Sequence, residues 1–237
     1  MKASDRRDGS SAGDHDPARW SANWRALIRA NLQRASAQRV RTLFHEINPH
    51  LVGDKLFEDR WSDIRTDAAV LVPIIDRQDA PTVLLTVRSS DMPSHAGQIS
   101  FPGGKLHADD RGPVDAALRE AREEVNIDPA MVEVIGALGV HQGGLGFSVT
   151  PIVGIVDPSA DIRPCPREVA EVFEVPLAFF ADLQNHLTEE REHKGVRYNM
   201  FAAPFGRFHI WGLTAGILRT LAETLQSEAP PGDAKSR

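Results

Sequence analysis

The chain contains a single cysteine, Cys165, which excludes an internal disulfide and any cysteine-based metal centre. It stands in Pro164-Cys-Pro166, a rigid turn, where a structural role is a better expectation than a catalytic thiol. No apolar run approaches the roughly 20 residues that a membrane helix needs. The opening Met1-Lys-Ala-Ser-Asp-Arg-Arg-Asp-Gly-Ser-Ser-Ala-Gly13 lacks the apolar core of a secretory signal. The closing Lys235-Ser-Arg237 is not a peroxisomal address, so a soluble, cytoplasmic protein is the expectation. There is no excess of positive charge: the net charge is −6, which argues against a nucleic-acid footprint. No internal repeat is present. The 237 residues suffice for one sizeable core, or for a domain with extensions.

The pattern divides the chain into four parts. Residues 1–18 are polar, charged and glycine-containing, as a disordered N-terminal tail would be. Residues 19–66 form a helical N-terminal extension. In it Trp24, Leu27, Ile28 and Leu32 follow a helical period, and a second short helix spans about Ala37 to Ile47. This part is expected to pack onto the main domain or onto a second copy in a homodimer. Residues 67–226 form the main domain, and 227–237 a second disordered tail. Within the domain, Ala69–Ile75, Val83–Val87, Val132–Val140 and Val149–Val156 are apolar, β-branched runs of strand length. Asp76-Arg-Gln-Asp-Ala-Pro81 is a turn, and Gly143-Gly-Leu-Gly146 a flexible loop. Pro176–Leu183 reads as a short helix, Leu187–Gly195 with Val196–Phe201 as a hairpin, and Trp211, Ala215, Leu218, Ala222 and Leu225 as a last helix. The sum is a mixed sheet between helices.

Chemistry concentrates in two segments. The first runs Leu84-Leu-Thr-Val-Arg-Ser-Ser-Asp-Met-Pro-Ser-His-Ala-Gly-Gln-Ile-Ser-Phe-Pro-Gly-Gly104, a strand, a loop and a glycine turn. Gly103 and Gly104 allow a backbone approach that side chains would block. The second is Arg119-Glu-Ala-Arg-Glu-Glu124, on a helix that starts near Pro113, with Val114, Ala117, Leu118, Ala121 and Val125 as its apolar stripe. At roughly 100° per residue, Glu120, Glu123 and Glu124 fall within an arc of about 100° beside that stripe. Glu120 and Glu124 are i, i+4 neighbours whose carboxylates can reach one point. Like charges this close call for a cation, and an all-oxygen set suits Mg2+ or Mn2+ rather than zinc. Taken alone, such a string is equally an ordinary solvated helix face; the glycine turn upstream is what turns it into a candidate site.

Together these segments resemble the Nudix hydrolase signature, Gly-x5-Glu-x7-Arg-Glu-U-x-Glu-Glu-x-Gly-U, where U is a bulky aliphatic residue. Gly104, Arg119, Glu120, Glu123, Glu124 and Ile127 match. Asp110 stands where the signature has Glu, one residue farther from Arg119 than usual; Ala121 is small, and Asn126 replaces the second Gly. A narrower likeness, to the coenzyme A pyrophosphatase branch, rests on Leu84, Leu85, Thr86, Arg88, Ser89, Gly97, Phe101, Pro102, Gly103 and Gly104. Val149–Gly154, Glu168–Leu177 and Ile210–Leu218 also resemble that branch. Pro93 takes the place of its internal Arg. The resemblance runs from about Ala69 to about Leu225 and implies an α/β fold, a Nudix-type α/β/α sandwich with a mixed β-sheet.

The resemblance also implies roles. Glu120 and Glu124, with Glu123 in support and the Gly103 carbonyl, would hold Mg2+ or Mn2+. Arg119 would orient the carboxylates. The general base would be Glu123 itself or a residue outside the signature, with Glu168 and Glu171 as candidates, although acids at a helix start are also ordinary dipole complements. Arg88 is placed to face phosphate, and His95 to bond phosphate or to close its loop, beside the close backbone approach at Gly103 and Gly104. His107 and His141 lack partners at metal-ligand spacing and are expected exposed or at the core edge. Phe147 and Trp211 suit packing better than base stacking, and Ser89, Ser90 and Ser94 show no nucleophile–base pattern. The implied substrate is a nucleoside diphosphate derivative, coenzyme A or its acyl or oxidised forms. ADP-ribose, nucleotide-sugar or dinucleotide hydrolysis is the alternative within the class, and a non-catalytic nucleotide-binding regulator the alternative outside it.

Overall fold

The computed structural model describes residues 24–34, 43–55, 66–92, 96–143 and 146–226. Both expected tails, residues 37–42 of the second expected helix, Pro93, Ser94, His95, Gly144 and Leu145 lie outside these residues, as does the side chain of Leu27. The elements begin with helices α1 (Trp24–Arg34) and α2 (Leu43–Ile47) and strands β1 (Thr66–Ile75), β2 (Thr82–Arg88), β3 (Ile99–Ser100) and β4 (Gly103–Lys105). Helix α3 (Pro113–Val125) follows, then β5 (Val132–Ala137), β6 (His141–Gly143), β7 (Phe147–Val156) and β8 (Val169–Pro176). The last are α4 (Leu177–Ala181), the hairpin β9 (Leu187–His193) and β10 (Val196–Ala202), and α5 (Gly212–Gln226).

Strand β1 is apolar from Ala68 onward because both of its faces are covered. It lies parallel to β7 along its whole length, from Thr66 beside Phe147 to Ile75 beside Val156. Its other edge is shared: β4 pairs with Ala68–Val70 and β2 with Ile74–Ile75, both antiparallel. Strands β3 and β8 pair with β2, and β5 and β6 with β7, completing one mixed eight-stranded sheet. Two apolar layers result. On one face Ala116, Ala117, Ala121 and Val125 of α3 meet Ala69, Leu71, Ile75, Leu84, Ile152 and Val156. On the other, Leu177 and Phe180 of α4 and Ala215, Leu218 and Leu221 of α5 meet Val72, Ile74, Val83 and Leu85. This is the α/β/α sandwich with a mixed sheet. The inward stripe of α3 is turned toward Ala116 relative to the expected one, leaving Val114 exposed. Alanines at the contact let the helix settle close to β1 and β4.

The N-terminal extension is built into this core. Trp24, Ile28 and Leu32 of α1 lie in the same cluster as α5. Arg25 pairs with Asp76, Arg29 with Glu133, and the Asn31 amide donates to the Thr224 carbonyl at 2.8 Å. After α2, Leu51 packs with Phe44, Val196 and Tyr198. There Asn48 takes the Asn199 N–H on its Oδ1 at 2.6 Å and donates to the Asn199 carbonyl at 2.9 Å, as a neighbouring strand would. Val169–Pro176 is strand β8, so the alternative of an acid-rich helix start weighed for Glu168 and Glu171 does not hold; Val169, Phe173 and Val175 are buried. No helix among the described residues is long and apolar enough to cross a membrane.

Because Ile28 is fully buried in the cluster it shares with α5, Ile28→Ala is expected to lower the unfolding free energy by about 2–4 kcal/mol. Urea unfolding followed by fluorescence and circular dichroism should show one transition moved to lower urea. A change within about 0.5 kcal/mol, the usual size for a surface position, would show α1 to be an appendage.

Candidate active site

Helix α3 carries the acidic cluster and is fixed at both ends. Pro113 occupies its first turn, and Asn126, in the left-handed region at φ 59°, ends it with its N–H directed at the Ala121 and Arg122 carbonyls. Asn tolerates this conformation, so it serves where the signature has glycine. Beyond it, the Cys165 N–H donates to the Glu124 carbonyl at 2.8 Å. That bond ties the loop after β7 to the end of the helix.

The Glu124 side chain is the buried centre of the site, with the residue 3% exposed. Its Oε2 accepts the Gly103 N–H at 3.1 Å, and Arg88 Nη1, at the end of β2, lies 3.8 Å from its Oε1. Burial pushes the carboxyl up from 4.5 to about 7. The Gly103 N–H and Arg88 pull the other way, while Glu120 and Glu168 add repulsion. The Arg88 Nε is buried with no protein partner among the described residues.

The two glycines are required by proximity. A Cβ at Gly104 would stand 2.5 Å from Glu120 Oε1, and one at Gly103 2.5 Å from the Ala69 carbonyl oxygen. Arg119 then organises the remaining carboxylates. Its Nε and Nη2 donate to the two oxygens of Asp110, each at 3.0 Å, and its Nη1 donates to Glu120 Oε1 at 2.8 Å and lies 3.7 Å from Glu123 Oε1. Arg119, joined by the His107 N–H, holds the Asp110 carboxyl at about 2. The same contacts raise the Arg119 pKa further above its ordinary value.

Other candidates are sorted by the fold. Glu168 is half-buried just before β8, its carbonyl accepting the Ser89 N–H at 2.8 Å, and its charge is felt at Glu124. Glu171 is instead paired with Arg207. Glu123 is the most open of the three helix acids, its side chain 57% exposed. His95 lies outside the described residues. His107 is exposed, whereas His141, expected exposed or at the core edge, is fully buried between the Gly139 carbonyl at 2.6 Å and Thr220 Oγ1 at 2.9 Å. Phe147 is half-buried against the core, and Trp211 lies under the Arg191 guanidinium at 5.5 Å. The Ser89 hydroxyl accepts the Asp91 N–H at 3.3 Å within its turn. The sequence reading missed the Gly103 N–H as the donor to Glu124; the glycine pair signalled close approach but not its target.

Among the described residues, no three His, Cys, Asp or Glu side chains converge into a ready-made metal cage. The donor chemistry nevertheless fits a hard divalent cation. Glu120 and Glu124 flank the Gly103–Gly104 backbone in a cradle that any Cβ at Gly104 would fill. Such cations take oxygen ligands of this kind.

The raised Glu124 pKa makes the metal-free protein pH-sensitive. Below about pH 4.5 the group is protonated whether the chain is folded or not. As pH rises toward 7, the unfolded chain ionises first, so folding loses stability, on the order of 3 kcal/mol by the upper end of that window. Glu124→Gln removes this loss. Melting in chelator should show the variant more stable than the parent at pH 8 and close to it at pH 5; parallel curves at both pH values would refute the assignment.

A family model described as NUDIX domain matches residues 65–197. A protein of Enterobacter sp. (strain 638) named "Uncharacterized Nudix hydrolase NudL" is 42% identical over 158 residues, covering 67% of this chain and 82% of that protein. The protein of the same name from Escherichia coli (strain K12) is 43% identical over 155 residues, covering 65% and 80%. The solved structure of a MutT/nudix family protein from Enterococcus faecalis aligns with a TM-score of 0.45 at 16% identity, over 75% of this chain and 71% of that one. The glycine turn, the acidic helix and the match over residues 65–197 place this chain in the Nudix family, hydrolases of diphosphate linkages that generally use divalent ions such as Mg2+ or Mn2+.

Proposed function

We propose that this protein hydrolyses the diphosphate of coenzyme A or its derivatives, releasing adenosine 3′,5′-bisphosphate and 4′-phosphopantetheine or its acyl form. The observation that carries this reading is the path of Leu84–Gly104, the segment that resembles the coenzyme A branch. It folds into β2, β3 and β4 and brings Arg88 and the Gly103 N–H to the buried Glu124 carboxylate.

The roles follow from the surroundings. Glu120, Glu124 and the Gly103 carbonyl, with Glu123 in support, would hold the divalent cation, which supplies charge neutralisation at the diphosphate oxygens and polarisation of phosphorus. Arg88 offers its guanidinium, including the buried Nε, to a phosphate oxygen. Arg119 keeps Glu120 in place through Asp110. Glu168, half-buried and close enough for its charge to act on Glu124, takes the proton of the attacking water as the P–O bond to the leaving phosphate breaks. Phosphoryl chemistry asks mainly for this positioning and electrostatic support.

The test is a product assay by mass. Purified protein with coenzyme A and Mg2+ or Mn2+ should yield adenosine 3′,5′-bisphosphate and 4′-phosphopantetheine, and chelator or Glu120→Gln should abolish it. Preferential cleavage of ADP-ribose or a nucleotide-sugar would keep the diphosphate chemistry and discard the coenzyme A reading. No cleavage of any of them would favour a binding protein.

A second prediction separates the bases. Glu168→Gln should lower kcat about 10²- to 10⁴-fold, with KM little changed and the acidic limb of the pH profile removed. If Glu123→Gln does this and Glu168→Gln does not, Glu123 is the base.

A further inference from the structure

The last carbonyls of α3 have no partners within the helix, and the loop after β7 takes them up. The Arg163 N–H donates to the Val125 carbonyl at 3.0 Å and the Cys165 N–H to the Glu124 carbonyl at 2.8 Å. The Asn126 amide donates back to the Asp161 carbonyl at 2.8 Å. Ala160 and Ile162 of this loop pack in the apolar cluster that α3 shares with the sheet. The loop therefore crosses the sheet on the side of Glu124.

At Cys165 the chain turns. The Cys165 carbonyl accepts the N–H of Glu168 at 3.0 Å and that of Val169 at 2.8 Å, closing a turn with Pro166 and Arg167 at its centre. Proline suits the first central position because its ring presets φ near about −65°. It also keeps the residue before it, Cys165, out of the helical region. The backbone of one residue thus joins two acids: its N–H holds Glu124 and its carbonyl holds Glu168. The far end of the turn is fixed to β2, where the Glu168 carbonyl accepts the Ser89 N–H at 2.8 Å and Val169 is paired with Arg88. Glu171 pairs with Val87, so Ala170 is an extra residue in β8. This bulge reverses the alternation, and Val169 packs on the α3 side although Phe173 and Val175 lie on the other. The turn is tied to the elements that carry Glu124 and Arg88, on the face they share.

Nothing in the core asks for this turn to be stiff. Pro166 and Arg167 are exposed, and the loop is already bound to α3 by its other contacts. What a stiff turn fixes is Glu168, half-buried, whose charge acts on Glu124. A general base must stand within hydrogen-bond reach of the water it deprotonates, and a misplacement of about 1 Å can cost on the order of 10²-fold in rate.

We propose that Pro166 is a positioning residue: it holds the Cys165–Glu168 turn in one shape and so sets the place of the Glu168 carboxylate against the carboxylates of α3. This rests on the diphosphate hydrolysis proposed above, with Glu168 as its base.

A double-mutant cycle on the full chain tests it, with coenzyme A and Mn2+, or ADP-ribose if that is the diphosphate cleaved. Pro166→Gly frees the turn and should lower kcat about tenfold with KM changed less than about twofold, and Pro166→Ala should fall between it and the parent. In the Glu168→Gln background Pro166→Gly should lower kcat no further, because the group it positions is gone. An equal loss in both backgrounds overturns the proposal, since the turn would then act through α3. So does an unchanged kcat in Pro166→Gly while Glu168→Gln is impaired. If Glu168→Gln is itself as active as the parent, or neither substrate is cleaved, the reading of Glu168 as base fails and the catalytic role of Pro166 falls with it. Hydrogen exchange then reads the turn separately: the Glu168 and Val169 amides should exchange slowly in the parent and faster in Pro166→Gly, and rapid exchange in both would show that no stiff turn exists.

Discussion

Everything at the site depends on holding one carboxylate out of water. Glu124 is nearly inaccessible, and its charged form is disfavoured by burial and by Glu120 and Glu168. Few groups oppose that penalty: the Gly103 N–H and, at longer range, Arg88. A carboxylate in this position is a poor contributor to folding and a good ligand in waiting, because a cation would relieve the desolvation and the repulsion together. Its geometry requires α3 to lie close to β4. That is why the helix meets the sheet through Ala116, Ala117 and Ala121, and why no side chain is tolerated at Gly103 or Gly104. Seen this way, the small Ala121 of the signature helix is part of the close approach.

The other face of the sheet does different work. There the long apolar residues of α1, α4 and α5 form the larger cluster, which stabilises the sheet on which Arg88 and Gly103 stand. The division separates functions physically among the described residues: large side chains and no buried acids on one side, small side chains and the buried Glu124 on the other. The strands between must be apolar on both faces, as β1 and β7 are. At β8 the separation ends. Glu168, just before β8, adds its charge at Glu124, while Glu171 is drawn to Arg207. Two acids three residues apart in sequence thereby have different electrostatic partners.

How much of this the sequence discloses depends on the range of the interaction. Local features were legible: the start of α3 at Pro113, its left-handed end at Asn126, the turn at residues 76–81 and the hairpin over residues 187–202. Each is set by φ preferences or by a period within a few residues. The pieces that escaped are set by distant partners. β3 and β4 are too short to show alternation, and exist because β2 and β1 offer them hydrogen bonds. Glu168, Glu171 and Glu174, spaced three apart with the last two inside β8, look like a helix start, and the strand identity of β8 comes from pairing along the whole of β2. His141 gives no hint of full burial until Gly139 and Thr220 supply its partners. The acidic helix was legible as a cluster; the donor from Gly103 to Glu124, 21 residues back along the chain, was not.

The two departures at Asp110 are best understood as one. Asp is shorter than Glu by one methylene, about 1.5 Å of reach. The connection to Arg119 is also one residue longer than the signature, and a residue spans up to about 3.8 Å between Cα atoms. The extra residue lets the backbone approach by more than the side chain has lost, and the outcome is a two-point contact with Arg119, both distances 3.0 Å. The same loop closes on itself, with the His107 N–H donating to Asp110 Oδ2 at 2.7 Å and the Asp110 N–H to the His107 carbonyl at 3.1 Å. Either change alone would misplace the carboxylate: a Glu on the longer loop would overreach, and an Asp on the shorter one would fall short. Arg119 is thereby left free to turn its remaining nitrogen to Glu120, and the carboxylates facing Gly104 keep their arrangement although the signature around them has changed.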